Sequence, residues 1–355
     1  MIRILLLMTL CSILICGCKR TDMNDISSDN PNLRWHGRIY ADKSGDRYLI
    51  SPASYVSFRI QGEKCRVWLQ NAAPQGEYNY FSVTVDGFHQ KRLMIKSDSL
   101  FQFDIPIRTP GEFHDIMISK ETEASCGQII ITGIEAAGLL SPTGETKKKI
   151  EFIGNSITAG MSSDESEIAC GYGNWYDQSN AYDAYGPRVA RELNMDYAVT
   201  AVSGIGVYRN SGSDFPVMGD IYESTFLTAH PEDPKWDFHQ WQPDIVAINL
   251  GTNDFSDGGG MIQRLPFDST NFIENFVRLV AVVHKHHPDA KIIFLQSSMS
   301  GPQYIDIHKA CLDAVVQQSR SSIAGLSIDV FSFSPFNASG CSGHPGVEDH
   351  GRMAG

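Results

Sequence analysis

Four short stretches of the chain combine small residues with side chains that can carry out acyl transfer. They are "GNS" at 154–156, "VSGIG" at 202–206, "NLGTND" at 249–254 and "GCSGHPG" at 340–346. Ser156 supplies a hydroxyl, Asn253 a side-chain amide and His344 an imidazole. A serine hydroxyl is a weak nucleophile until a neighbouring base takes its proton, and histidine is the usual base. The set therefore predicts nucleophilic catalysis if the fold brings these groups together.

Each group has a predicted role in that chemistry. Ser156 would attack a carbonyl carbon, and His344 would accept its proton and later return it to the leaving group. The attack produces an oxyanion, which needs hydrogen-bond donors already in place. The side chain of Asn253 and the backbone N–H groups of Gly204 and Ser156 are the candidate donors, and a glycine at 204 lets the backbone approach a substrate closely. Asp254 is interpreted as a turn or helix N-cap residue.

The elements around these stretches predict that they meet. Strand-like runs recur at 149–153, 196–202, 244–250, 291–297 and 326–331, and helical patterns occupy 180–194, 271–286 and about 304–320. Strands that alternate with helices imply a parallel sheet covered on both sides. In that α/β architecture, ligands bind at the carboxyl ends of the strands. Since each stretch follows a predicted strand, all four should lie at one edge of the sheet.

The preceding part of the chain, residues 31–142, shows a different periodicity. It contains short runs rich in Val, Ile and Phe: "YVSFRIQG", "KCRVWLQN", "YFSVTVDG", "LFQFDIPI", "FHDIMISK" and "QIIITGIEAAGLL". The runs alternate with polar residues and are separated by Gly, Pro, Asn or Asp. This spacing predicts a β-sandwich domain of the jelly-roll type.

The four stretches resemble those of SGNH (GDSL-like) hydrolases, in the order Ser, Gly, Asn, His, and the match extends over nearly all of 148–354. Finer features resemble carbohydrate esterase family 2: the preceding β-sandwich, "NAYDAYGP" at 180–187, "WDFHQWQPDIVAINLGTNDFS" at 236–256 and "GCSGHPGVEDHGRMA" at 340–354. The resemblance implies a three-layer αβα, flavodoxin-like domain over 148–355. It also implies removal of acetyl groups from xylan, mannan or related sugars, with Ser156, Gly204, Asn253 and His344 in the roles above and with no metal or other cofactor.

One position departs from the family pattern. Carbohydrate esterases of this kind usually have an aspartate two residues before the histidine, where this chain has Ser342. SGNH hydrolases more widely place it three residues before, where this chain has Cys341. Some members of the family resemble a Ser-His dyad in which a main-chain carbonyl holds the histidine. We therefore expect the backbone carbonyl of Ser342 to orient His344.

The substrate expected from the resemblance is an acetylated polysaccharide or oligosaccharide. Trp175 and Tyr208 are candidates for an aromatic platform under a sugar ring. Two alternatives remain open at this point. One is a GDSL-type deacylase of small or lipid esters, and the other is a catalytically weak, glycan-binding lipoprotein that binds through its β-sandwich.

The N-terminus reads as an export signal. Residues 1–18 contain Arg3, an apolar run and the end "ICGC", which resembles a bacterial lipoprotein signal with Cys18 as the lipidated residue. Residues 19–30 are polar and predict a flexible tether. We therefore expect an exported protein, anchored by lipid to the bacterial outer membrane on its periplasmic or outer side. The net charge of −12 argues against a nucleic-acid partner.

The cysteines and histidines do not indicate a metal site. Beyond the signal, Cys65, Cys126, Cys170, Cys311 and Cys341 have no CxxC spacing. A pair between Cys65 and Cys126 is one option, the odd number leaves at least one free, and buried free thiols are favoured for most. "HKHH" at 284–287 is interpreted as the solvated C-terminal end of a helix.

Overall fold

The computed structural model describes residues 23–355 except 97, 110, 141–145, 259–261 and 335. The predicted signal peptide and the lipidation site at Cys18 lie outside the described residues. Up to residue 140 the strands pair in antiparallel fashion, and from residue 149 they form a parallel sheet with helices between them. The change in architecture therefore falls where the periodicity of the sequence changes.

The N-terminal domain consists of short strands in two sheets. They are β1 (Asn24–Ile26), β2 (Arg34–His36), β3 (Ile39–Ala41), β4 (Arg47–Leu49), β5 (Tyr55–Gln61), β6 (Cys65–Ala72), β7 (Asn79–Val85), β8 (Phe88–His89), β9 (Leu93–Ile95), β10 (Phe101–Ile105), β11 (Phe113–Lys120), β12 (Gln128–Ala136) and β13 (Leu139–Leu140). One sheet has the order β10-β6-β12-β4-β3, with β1 beside β12. The other has the order β13-β5-β11-β7-β8, with β2 beside β5 and β9 beside β7.

Alternation of apolar and polar residues builds the core between these sheets. In β6, every second residue is buried, from Cys65 through Val67 and Leu69. The opposite sheet contributes Val56 and Phe58 to the same cluster. A period of two puts one face of each strand inward, so two such faces pack together as a sandwich. The predicted β-sandwich is confirmed.

The tether predicted over 19–30 is wrong for its second half. Asn24–Ile26 pairs with residues 134–136 of β12, and the Ile26 side chain is buried. The polar composition of this segment concealed a short edge strand, because three residues with one apolar side chain give no visible alternation.

The C-terminal domain is a five-stranded parallel sheet with helices on both faces. Its strands are β14 (Lys149–Gly154), β15 (Asp196–Ala201), β16 (Ile245–Asn249), β17 (Lys291–Gln296) and β18 (Ile328–Ser332). Its helices are α1 (Ser156–Ala159), α2 (Tyr185–Glu192), α3 (Met218–Ile221), α4 (Ser269–His286), α5 (Pro302–Ser322) and α6 (Val347–Ala354). Single 3₁₀ turns lie at Ala124–Cys126, Phe238–Gln240, Asn253–Phe255 and Cys341–Gly343.

The strand order is β15-β14-β16-β17-β18, which is the flavodoxin-like order. The chain adds β15 on one side of β14 and the later strands on the other side, so the strand order reverses at β14, the strand that leads to Ser156. Ligands of open α/β sheets bind at this reversal, outside the carboxyl ends of the strands. On one face, α4 and α5 bury Phe276 and Leu312 against Ile248 of β16. On the other, Tyr185 of α2 and Met353 of α6 are buried, which completes the predicted three layers.

The helix predicted over 180–194 begins later than expected, at Tyr185. The side chain of Asn180 accepts the N–H of Asp183 and closes a local turn before the helix starts. The backbone N–H of Asn180 donates to the carbonyl of Gly160, 2.9 Å away. These contacts hold residues 180–184 in a turn, although the spacing of their apolar side chains alone predicts a helix there.

Among the described residues, no helix is both long and apolar enough to cross a lipid bilayer.

Buried polar side chains join the two domains. Arg38 of the sandwich reaches the carbonyls of Tyr222 and Ser224, at 2.7 and 3.3 Å. Arg92 donates to the carbonyls of Asp177 and Ser179, at 2.9 and 2.6 Å. Both guanidinium groups are buried and donate to main-chain carbonyls. The sandwich therefore stabilises the segments of the hydrolase domain around residues 177–179 and 222–224.

Candidate active site

The hydroxyl of Ser156 and the imidazole of His344 are in contact. Oγ of the serine lies 2.8 Å from Nε2 of the histidine, although the residues are 188 positions apart in the chain. Ser156 is buried, and His344 is partly exposed. This is the distance that proton transfer from a serine to a general base requires.

Close packing at the end of β14 sets the position of Ser156. A side chain at Gly154 would meet Thr158 Oγ1 at 2.1 Å, so a glycine is required where the strand turns into α1. The side chain of Asn155 caps that helix by accepting the N–H of Ile157, 3.1 Å away. Ser156 is the first residue of α1, where backbone N–H groups have no partner within a helix.

Gly204 and Asn253 are held in the loops beside it. The N–H of Val202 donates to the carbonyl of Gly154 at 3.3 Å, which places the 202–205 turn against the end of β14. Gly204 has a φ of 78°, the left-handed conformation that glycine adopts without strain. Nδ2 of Asn253 donates to the carbonyl of Ile205, 2.7 Å away. An amide nitrogen carries two hydrogens, so the second is available to a ligand.

Asp254 lies inside the 3₁₀ turn Asn253–Phe255, so its interpretation as a turn residue is confirmed, but it is not a helix N-cap. Its carboxylate is fully buried and accepts the backbone N–H groups of Val207, Tyr208 and Arg209 at 2.9–3.4 Å. Burial raises the pKa of Asp254 to about 7, against the effect of these donors. Asp254 therefore shapes the loop that follows Gly204, a role that no local sequence signal shows.

His344 lies in a tight loop between β18 and α6. Ser342 and Gly343, directly before it, have φ angles of 53° and 74°. Asp349 is buried and organises this loop: its Oδ2 accepts the N–H and hydroxyl of Ser339 and the N–H of Gly346, at 2.6–2.9 Å. Sequence reasoning missed Asp349. Its acidic side chain in the first turn of the closing helix was an available signal.

The far side of the imidazole faces main-chain carbonyls. Burial lowers the pKa of His344, while the backbone carbonyls of Ser342 and Cys341 act in the opposite direction. Nδ1 is nevertheless buried without a hydrogen-bond partner among the described residues. The carbonyl predicted to orient the ring thus acts on it electrostatically, but the expected hydrogen bond is not formed here. Such contacts often tighten only when a substrate is bound.

A disulfide joins Cys170 to Cys341, across 171 positions of the chain. The pair considered between Cys65 and Cys126 is wrong, because both are buried free thiols, as is Cys311. Cys341 stands where SGNH hydrolases commonly carry their aspartate. A covalent link from the histidine loop to the 161–180 loop therefore occupies the position of the usual carboxylate.

The described residues contain one cluster with the spacing of a metal site, formed by Glu165, Cys170 and Cys341. Since both sulfur atoms are joined in the disulfide, they are not available as thiolate ligands.

The "HKHH" stretch at 284–287 was expected to be solvated. For its last residue this is wrong, because His287 is buried, with Nε2 3.4 Å from Glu151 Oε2. Nε2 of the preceding residue, His286, lies 2.6 Å from Oε1 of Glu223.

The two candidates for a sugar platform differ in their surroundings. Trp175 is 45% exposed and lies in the 161–180 loop. Tyr208 instead packs against Phe267 and Phe272, at ring distances of 6.0 and 6.5 Å. Its hydroxyl accepts the N–H of Asp268 at 3.1 Å. These contacts give Tyr208 a packing role, and the role of Trp175 as a sugar platform stays a prediction.

Comparison with known proteins agrees with this geometry. Residues 152–351 match the GDSL-like Lipase/Acylhydrolase family. The chain belongs to this family. Residues 35–142 match the carbohydrate esterase 2 N-terminal domain, which corresponds to the β-sandwich. The protein is thus a serine ester hydrolase of the GDSL type with a family 2 carbohydrate esterase architecture.

Individual relatives cover both domains of this GDSL hydrolase. It is 29% identical over 349 residues to the cellulase/esterase CelE of Acetivibrio thermocellus, a match that spans 94% of this chain and 39% of that protein. It is 25% identical to an acetylxylan esterase / glucomannan deacetylase of Cellvibrio japonicus, over 90% of this chain and 87% of that protein.

A solved structure with the same architecture is a family two carbohydrate esterase from Clostridium thermocellum in complex with cellohexaose. It has a TM-score of 0.79 and 26% identity, covering 91% of this chain and 95% of that chain. An acetyl xylan esterase from Butyrivibrio proteoclasticus, with a TM-score of 0.81 at 20% identity, shares the fold. The two-domain arrangement is therefore common to this chain and these esterases.

Proposed function

We propose that the protein is a carbohydrate O-acetyl esterase that removes acetyl groups from hemicellulose-type polysaccharides or oligosaccharides through a serine acetyl-enzyme. The observation that carries this proposal is the 2.8 Å contact between Ser156 and His344 at the reversal point of the sheet. The relatives that cover most of both chains are acetylxylan esterases and glucomannan deacetylases, which supports acetylated sugars as the substrate class.

In the first half of the reaction, Oγ of Ser156 attacks the acetyl carbonyl while Nε2 of His344 takes its proton. The negative charge that develops on the carbonyl oxygen is met by the N–H groups of Ser156 and Gly204 and by the free amide hydrogen of Asn253. His344 then gives the proton to the departing sugar hydroxyl, which leaves the acetyl group on Ser156.

In the second half, water replaces the sugar. His344 removes a proton from the water, whose oxygen attacks the acetyl carbonyl, and the same donors stabilise the second oxyanion. The imidazolium then returns its proton to Oγ of Ser156, and acetate leaves. Burial favours the neutral imidazole, which is the form that both proton abstractions need.

The protein is further proposed to be exported and lipid-anchored at Cys18. The lipoprotein-like N-terminus supports this location, and so does the disulfide between Cys170 and Cys341, since such bonds persist in oxidising compartments. Membrane fractionation of cells that express the full chain, with Cys18→Ala as the comparison, tests it. Loss of the protein from the membrane fraction in the variant is expected, and an unchanged distribution contradicts the anchor.

Acetate release from a panel of acetylated xylan, glucomannan and oligosaccharides tests the activity. We expect turnover that disappears in Ser156→Ala and that exceeds the turnover of longer acyl esters. A preference for long-chain or lipid esters would replace this function with a general GDSL deacylase. Measurable glycan affinity without turnover would replace it with the glycan-binding alternative.

A further inference from the structure

A buried carboxylate of the β-sandwich reaches the loop that carries Gly204. Glu123 lies between β11 and β12 and is 3% exposed. Its Oε2 accepts the backbone N–H of Ser203, 3.0 Å away, and also the hydroxyl of Ser203. Its Oε1 accepts the hydroxyl of Ser125. One side chain from the other domain thus holds both hydrogen-bond donors of the residue immediately before Gly204.

These bonds act on a turn whose geometry decides where the Gly204 N–H points. The turn spans Val202 to Ile205, closed by an N–H to carbonyl bond of 3.4 Å, and its third residue, Gly204, has a φ of 78°. A positive φ at that position is the signature of a type II turn. The orientation of the peptide between Ser203 and Gly204 defines this turn type. Glu123 holds the residue that precedes this peptide and so restrains its orientation.

The rest of the turn is tied down on other sides. The carbonyl of Gly204 accepts the N–H of Ser211 at 2.9 Å, and the carbonyl of Ile205 accepts from Asn253. Among the residues that the structure describes, the N–H of Gly204 itself has no partner. The turn therefore presents one unused donor, and Glu123 supplies the anchor on its N-terminal side.

We infer that Glu123 is a positioning residue for the oxyanion hole, through which the β-sandwich contributes directly to the chemistry of the hydrolase domain. The inference rests on the proposed esterase function and deepens it. Glu123 does not touch the substrate. It acts through Ser203, by keeping the Gly204 N–H aimed at the oxygen that becomes negative in the transition state.

The chain offers a closely matched control two residues earlier. Glu121 is also buried in the interface, and its Oε2 also accepts a backbone N–H of the hydrolase domain, that of Tyr182, at 2.8 Å. Its Oε1 accepts the hydroxyls of Ser82 and Ser119. Removing either carboxylate breaks three hydrogen bonds, of which two cross the domain interface for Glu123 and one does for Glu121. Only Glu123 contacts the turn that carries Gly204.

The experiment compares steady-state kinetics of Glu123→Ala, Glu121→Ala and Glu123→Gln with 4-nitrophenyl acetate and with acetylated xylan. We expect kcat of Glu123→Ala to fall by roughly 10- to 100-fold with KM little changed, the loss expected from a misplaced catalytic group. Glu121→Ala should keep the native kcat. Glu123→Gln, whose side-chain oxygen can accept from both groups of Ser203, should restore most of the activity.

An equal fall in the two alanine variants would assign the effect to domain docking and overturn the inference, as would an unchanged kcat in Glu123→Ala. If Glu123→Ala does not fold, Ser203→Ala decides, since it removes only the hydroxyl bond. A several-fold lower kcat supports the inference and a native kcat overturns it. Wild-type protein without turnover would instead contradict the proposed function itself, and this role with it.

Discussion

The two partners of the catalytic pair are held by different means. Ser156 begins a helix directly after a central strand, and the hydrogen-bond ladder of the sheet and close packing at Gly154 fix its place. His344 lies in an irregular loop with consecutive positive φ angles before it. A disulfide, the buried carboxylate of Asp349 and the carbonyls of Ser162 and Ser163 keep that loop in place.

The difference shows how a catalytic side chain on a loop is held in a defined position. Regular structure positions a side chain through many equivalent backbone bonds, so the loss of one has little effect. A loop depends on a few specific contacts, and each one matters more. Cys341 is three residues before His344, so the disulfide restrains the imidazole side of the pair where other SGNH hydrolases use an aspartate.

Removing either partner tests whether the two sides act as one unit. Ser156→Ala and His344→Ala should each lower kcat by about 10⁴- to 10⁶-fold on 4-nitrophenyl acetate, because each alone abolishes nucleophilic attack. The double variant should lose no more than the larger single loss, since residues of one catalytic unit are not additive. Losses that multiply in the double variant would show that the two groups act independently.

Sequence reasoning succeeded where chemistry and regular structure coincide. Ser156 and Asn253 follow strands whose apolar runs are visible in the sequence, and the sheet brings their ends together. It could not reveal which groups the carboxylates of Asp254 and Asp349 bind, or the pairing of Cys170 with Cys341. These residues are defined by the partners that they meet across the fold, and a single chain without the fold gives no distance between them.

Asn253 belongs to the serine side, because its amide bonds the carbonyl of Ile205 in the turn beside β14. Asn253→Ala should lower kcat by about 10²- to 10³-fold and leave KM nearly unchanged, the effect of removing one oxyanion donor. Steady-state kinetics on acetylated oligosaccharides measure this split. Asn275→Ala, at a partly exposed position on α4, is the control and should match the wild type. A higher KM at native kcat would give Asn253 a role in substrate binding instead.

Breaking the disulfide tests the histidine side. The double variant Cys170→Ser, Cys341→Ser should lose about 2–5 kcal/mol in the free energy of unfolding. Its kcat should fall by roughly 10- to 100-fold, because the loop before His344 loses its covalent restraint. Denaturant unfolding and acetate release measure the two effects.

The buried free thiol of Cys311 provides a comparison for that variant. Cys311→Ser should change the free energy of unfolding but leave kcat near that of the wild type. A reducing agent should reproduce the loss in the wild type and have no further effect on the double variant. Native turnover after full reduction would show that the remaining contacts, chiefly those of Asp349, hold the loop without the disulfide.

The smallest expected effect is a shift in pH dependence. His344 must be neutral to accept a proton, and burial lowers its pKa below the ordinary value of 6.5. Activity should therefore rise with pH through a midpoint below 6.5 in kcat/KM and be lost as the ring is protonated below it. In the disulfide-free variant, a looser and wetter loop should move the midpoint up toward 6.5. Asp254, whose pKa burial raises to about 7, is another group near this range. Asp254→Asn must therefore retain the native midpoint if the imidazole controls the profile. A native midpoint at or above 6.5 would mean that desolvation does not govern this histidine.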